Sequence, residues 1–154
     1  MIKDFCTYEQ SVALKELGFD EDCIAYYDTD GLQISSHYWY PGNKNSSFPT
    51  PELTNNPKIS APLKSAVFRW FEEIHGLYKD LHPEFYIDGV NINWRILWPF
   101  DNEKRIMDSK NFPRYSGTMM YGDNGEYKTQ DDAESACIDK LIELIKNNIK
   151  QSIA

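Results

Sequence analysis

The sequence predicts an α+β fold: an antiparallel sheet of about five to six strands in three hairpins, with three helices, in the order αββαββββα. Two observations predict it. Three segments carry helix caps and apolar residues at helical spacing. Between them, three Asx-Gly pairs (Asp30-Gly31, Asp88-Gly89 and Asn124-Gly125) separate short apolar runs, the strongest local signal for a hairpin. Hairpins make antiparallel pairs, and helices outside them make α+β rather than α/β.

The first helix opens with Thr7 and Gln10 in capping-box spacing. It runs through Val12, Ala13, Leu14 and Leu17. Gly18 ends it, with Phe19 placed for the apolar contact of a glycine C-cap. The hairpin 23–27/32–35 turns at Asp28-Thr29-Asp30-Gly31. The second helix is expected from Ser60-Ala61-Pro62, a polar cap with proline in the first turn. Its apolar face reads Leu63, Val67, Trp70, Phe71, Ile74, and Gly76-Leu77 ends it. A second hairpin, 85–87/90–98, alternates cleanly. Val90, Ile92, Trp94, Ile96 and Trp98 share one face, and Asn91, Asn93 and Arg95 the other. A third pairs 118–121 with 126–128. The last helix starts at Thr129, with Asp131, Asp132 and Glu134 near its positive end and Lys140, Lys146 and Lys150 towards the other. Its apolar face is Ala133, Ala136, Cys137, Leu141, Leu144, Ile145 and Ile149.

At 154 residues the chain is expected to be one domain, 1–154, able to bury a core without disulfides or metal. Two long segments, 41–59 and 99–116, lack periodicity and read as loops, which at this length are usually functional or disordered. The net charge is -8, and residues 1–40 hold eight acids against two bases, net -6. That balance disfavours direct binding to nucleic-acid phosphates and favours a basic protein surface. Three cysteines without CxxC spacing imply reduced thiols and a cytoplasmic protein. No signal peptide and no membrane span is visible.

No catalytic motif appears, so the chain is expected not to be an enzyme and to need no cofactor or metal. Asp28-Thr29-Asp30-Gly31 begins like a calcium loop but lacks the downstream bidentate Glu, and reads as a turn. Asp20-Glu21-Asp22 has no neighbour that would raise one carboxyl pKa, and reads as a solvated acidic loop. His37, His75 and His82 lack metal-ligand spacing. His75, just before Gly76, suits a helix end as a cation. Cys137 falls on an apolar helix face. Phe68-Arg69-Trp70-Phe71 would stack bases if exposed, but helical spacing turns Trp70 and Phe71 inward. The order of helix, strands and helix matches double-stranded-RNA-binding domains. The basic cluster those domains carry at the last helix is replaced here by Asp131, Asp132 and Glu134, which excludes that mode.

His37-Tyr38-Trp39-Tyr40-Pro41 is the leading candidate surface. Three consecutive aromatics cannot share one strand face, and Tyr and Trp anchor interfaces. The charged 99–116 segment, with Lys104 and Arg105, is a second.

Four segments, Tyr8–Phe19, Ile24–Tyr27, Ser60–Phe71 and Ala133–Glu143, together resemble a widespread group of short uncharacterised proteins encoded by Bacteroidetes phages and mobile elements. The matching residues are caps and core, over about half the chain. The resemblance implies the fold and a phage or mobile-element origin, hence residence in a host cytoplasm, and no catalytic residue. The functional expectation is an acidic binding protein that inhibits a host protein with a basic surface, in an anti-defence or anti-CRISPR-type role. Interface candidates are Tyr38, Trp39, Tyr40, Asp20, Glu21, Asp22, Asp28, Asp30, Lys104 and Arg105. Alternatives are a small-molecule or nucleotide-binding protein with a pocket beneath residues 41–59, and a minor virion component.

Overall fold

Thr7 closes its capping box as the sequence requires. Its side chain accepts from Gln10 N at 3.2 Å, and the Gln10 side chain accepts from Thr7 N at 3.1 Å. The computed structural model describes residues 2–34, 58–86, 89–99, 114–115, 118–122 and 127–153. Within them the protein is α+β, with three helices and two small antiparallel sheets. After a 3-10 turn at Ile2–Asp4 come α1 (Tyr8–Glu16), β1 (Ala25–Asp28), β2 (Gly31–Ile34), β3 (Ile59–Ser60), α2 (Lys64–His75), β4 (Tyr78–Tyr86), β5 (Gly89–Pro99), β6 (Arg114–Tyr115), β7 (Thr118–Gly122) and α3 (Gln130–Ile153). The single expected sheet is therefore two, ordered β2-β1-β3 and β4-β5-β7-β6. The chain divides into two compact units. One comprises Met1–Val67 with Ile142–Ala154, the other Phe68–Leu141.

In the first unit, α1 ends at Gly18, φ 89°, in a Schellman cap. Gly18 N donates to Lys15 O and Phe19 N to Leu14 O, and Phe19 is buried. The β1–β2 hairpin pairs Asp28 with Gly31 across a two-residue turn, and Asp30 N donates to Asp28 Oδ1 at 2.9 Å. Asp28 is thus a turn former. The expected cap at Ser60 is corrected. Ile59–Ser60 is a strand that pairs with Tyr26 and Tyr27, and α2 begins only at Lys64. Long-range bonds decide this: Ala61 N donates to Ala25 O and Cys6 N to Pro62 O. Phe5, Ala25 and Ala61 form a buried cluster with Tyr27, Leu32 and Leu63 against it.

In the second unit, α2 buries Phe68, Trp70 and Phe71. Ile74, expected on the same face, is 63% exposed, while Phe68, outside the expected stripe, is 6% exposed. Gly76, φ 64°, and Leu77 close the helix on Glu72 O and Phe71 O. β4 is longer than expected, pairing from Tyr78 to Tyr86 with β5. Pro83 sits within it, and β4 is an edge strand, where a missing N–H is tolerated. Trp94 and Ile96 are buried, as the alternation requires. Of the partners expected for β7, Tyr127 bridges Ile92 instead; among the described residues β5 takes one edge of β7, and β6, inside the segment expected as a loop, takes the other at Thr118 and Met119. Asn124-Gly125 lies outside the described residues.

α3 is capped by Thr129, whose Oγ1 accepts from Asp132 N at 3.1 Å. It buries Ala133, Cys137, Leu141 and Ile145 as expected, and Ile138 and Ile142 in addition, a broader stripe than the sequence spacing marked.

Candidate functional site

The acidic loop Asp20-Glu21-Asp22 lies between two buried anchors. Phe19 is 2% exposed and Cys23 5%. Cys23 Sγ donates to Glu21 O at 3.5 Å. The three acids therefore sit on a loop fixed at both ends, with Asp20 and Asp22 exposed and Glu21 partly so. Ile24, immediately after Cys23, is 47% exposed, which sets an apolar side chain beside the acids. Asp28 and Asp30 lie in the hairpin turn at the far end of β1. The five acids are thus two patches separated by a strand, not one. Tyr38, Trp39, Tyr40, Lys104 and Arg105 lie outside the described residues, as do residues 41–57 of the 41–59 segment.

Neither Cys23 nor Cys137 is poised as a nucleophile. The Cys23 thiol is pushed up to about 11, chiefly by burial, with a hydrogen bond from Ser60 working against it and the charges of Glu21 and Asp22 adding to it. Burial pushes Cys137 up to about 12. Both stay protonated at neutral pH and serve as small apolar side chains. No cluster of metal-ligating residues occurs among the described residues. No described helix is long and apolar enough to cross a membrane.

The Phe68–Phe71 run does face inward: Phe68, Trp70 and Phe71 are buried and Arg69 is exposed. His75 joins this cluster, 4.8 Å from the Trp70 ring in a T-shaped contact and 5.7 Å from Phe71. Its Nε2 is buried without a hydrogen-bond partner. Burial lowers its pKa below the ordinary 6.5, so the ring is kept neutral and the expected role as a helix-end cation gives way to packing. The linkage has a definite sign. Between pH 6.5 and the lower folded-state pKa the unfolded chain binds a proton that the folded chain does not, so stability falls as pH falls through that window. His75→Phe is expected to flatten the stability-versus-pH curve between pH 7.5 and 5.5, measured by urea denaturation. An unchanged slope would mean His75 does not set it.

Lys79 was not singled out by the sequence. Its Nζ lies 2.7 Å from Glu134 Oε1 and 4.0 Å from the Phe68 ring centre, tying β4 to α3 and to the start of the aromatic cluster. Nothing in the local sequence signals it, because its partners are 55 and 11 positions away.

No family model matches the chain, and neither a curated protein nor a solved structure matches it.

Proposed function

We propose that this protein is a non-enzymatic binding protein of phage or mobile-element origin that covers a basic site on a host protein, in an anti-defence role. The observation that carries the reading is the acidic loop. Three consecutive acids are held between buried Phe19 and Cys23, next to exposed Ile24. An apolar contact beside fixed charge is the composition of an interface whose charges steer encounter and whose apolar group holds the complex. The net charge of -8, concentrated as net -6 in residues 1–40, supplies a long-range field of one sign. A nucleic-acid-binding nuclease has the basic cleft such a field would seek. Tyr38, Trp39 and Tyr40 are proposed as further anchors, and Lys104 and Arg105 as a peripheral contact.

Affinity capture from host lysate, with mass spectrometry, identifies the partner, and the charge-reversed protein Asp20→Lys/Glu21→Lys/Asp22→Lys tests the mode. Association with the captured partner is expected to slow by about 10- to 100-fold at low salt, and the salt dependence of the rate to flatten. Melting should barely change, since Asp20 and Asp22 are exposed. An unchanged association rate would rule out electrostatic docking through this loop.

A further inference from the structure

The outer edge of β4 is the longest strand edge among the described residues. β4 has nine residues, against four in β2 and two each in β3 and β6, the other edge strands. A long edge offers its outward N–H and C=O groups to any strand that lies alongside, and β4 of a second copy carries the same row at the same length. The hydrogen bonds of β5 fix which groups these are. Ile92 N donates to Tyr127 O at 2.8 Å, on the side of β5 away from β4. Pro83 and Ile92 therefore form a non-hydrogen-bonded pair, in which each turns its backbone groups away from the other. The ring nitrogen of Pro83 thus faces the outer edge, and Pro83 is itself exposed. By alternation Lys79, Leu81 and Phe85 present their backbone groups on that same edge, while those of Tyr78 and Asp80 point to β5.

Proline there does more than omit one donor. A strand pairing across position 83 sets a carbonyl against the ring, desolvated and without a donor, and in a two-fold pair each copy does this to the other. A copy that avoids position 83 has only Lys79 and Leu81 to pair with on one side of it and Phe85 on the other. Lys79 is a second obstacle. It shares the face of buried Ile96, and its Nζ lies 2.7 Å from Glu134 Oε1 and 4.0 Å from the Phe68 ring centre. An inward-pointing charge on an edge strand resists a strand added beside it. We infer that the outer edge of β4 is a pairing surface for β4 of a second copy of this chain, and that Pro83 holds it closed. With an N–H at position 83 the row from Lys79 to Phe85 is continuous, and two copies pair antiparallel along it.

Sedimentation of the full chain over a range of concentrations tests this, with Pro83→Val and Pro83→Thr beside the unchanged protein. Both substitutions restore the N–H in a β-branched residue that suits a strand. Each variant is expected to self-associate at least about tenfold more tightly than the unchanged protein. Amide hydrogen exchange at positions 79, 81 and 83 should slow in the associated form, and a variant that precipitates is read by the same amides in the precipitate. Tyr78→Val is the control. It adds a β-branched residue whose N–H already points to β5, and its self-association should match that of the unchanged protein. The inference is overturned if both position-83 variants stay as dissociated as the unchanged protein, or if they associate with those amides unprotected. It is overturned equally if Tyr78→Val associates as they do, or if the amides of Lys79 and Leu81 are already protected in the unchanged monomer. No host protein enters the experiment, so its outcome is independent of the acidic loop.

Discussion

Phe71→Ala is expected to destabilise the protein by about 3–5 kcal/mol, the usual cost of emptying a fully buried phenylalanine site. Phe71 is 0% exposed and contacts Trp70 ring to ring at 5.1 Å in a T-shaped arrangement. Truncation removes the ring contact with Trp70 and the tilted one with His75 together. For a chain of this size each kcal/mol corresponds to about 2–4 °C in melting temperature, so a fall of roughly 10 °C is expected by calorimetry. Ile74→Ala is the control. Helical spacing alone puts Ile74 on the same face, yet it is 63% exposed, and its truncation should change stability by about 0.5 kcal/mol or less. Equal losses from the two substitutions would refute the assigned face of α2.

Phe19→Ala is expected to cost nearly as much, about 3–4 kcal/mol, for two reasons that add. The ring is 2% exposed, so its removal leaves a cavity. Phe19 is also the residue after the C-capping glycine, and its N–H closes the end of α1 on Leu14 O at 3.0 Å. With the ring gone, the apolar contact that accompanies this cap is lost and the last turn of α1 should fray. Urea denaturation followed by helix ellipticity reads both effects. The acidic loop begins at the next residue, so Phe19→Ala should also slow association with the captured partner, although no charge changes. A loss below about 1 kcal/mol would show that Phe19 is not the anchor of that loop.

What was legible in the sequence was local. The capping box of Thr7 and Gln10, the glycine end of α1, the Thr129 cap and the turns at Gly31 and Gly89 involve residues at most five apart, and the structure reproduces them. What failed depended on distant partners. Ser60-Ala61-Pro62 carries the marks of a helix start, but Ala25, thirty-six positions earlier, claims the Ala61 N–H and makes the segment an edge strand. The expected partner of the 118–121 strand is its nearest neighbour across Asn124-Gly125, whereas β5 runs along one edge and β6 takes the other at Thr118 and Met119. β4 lacked an apolar alternation because it is an edge strand with Lys79, Asp80 and Pro83 in it. Of the candidate site, the acids could be read as charge. That Cys23 pins them, and that Asp28 and Asp30 stand apart from them, could not, because Cys23 is held by Ser60, far away in sequence, and β1 carries the hairpin turn away from the loop.

The split membership of α3 bears on the order in which the protein assembles. Its residues to Leu141 belong to a unit that is continuous in sequence, while those from Ile142 onward complete a unit that begins at the first residues. On a ribosome adding about 5–20 residues per second, the whole of 68–141 is made before Ile142 is. Every residue of the middle unit is therefore synthesised before those that complete the earlier one. Lys146 meets Glu16 across 130 positions, so that closure comes late in synthesis. The first residues made have partners that are among the last to be made.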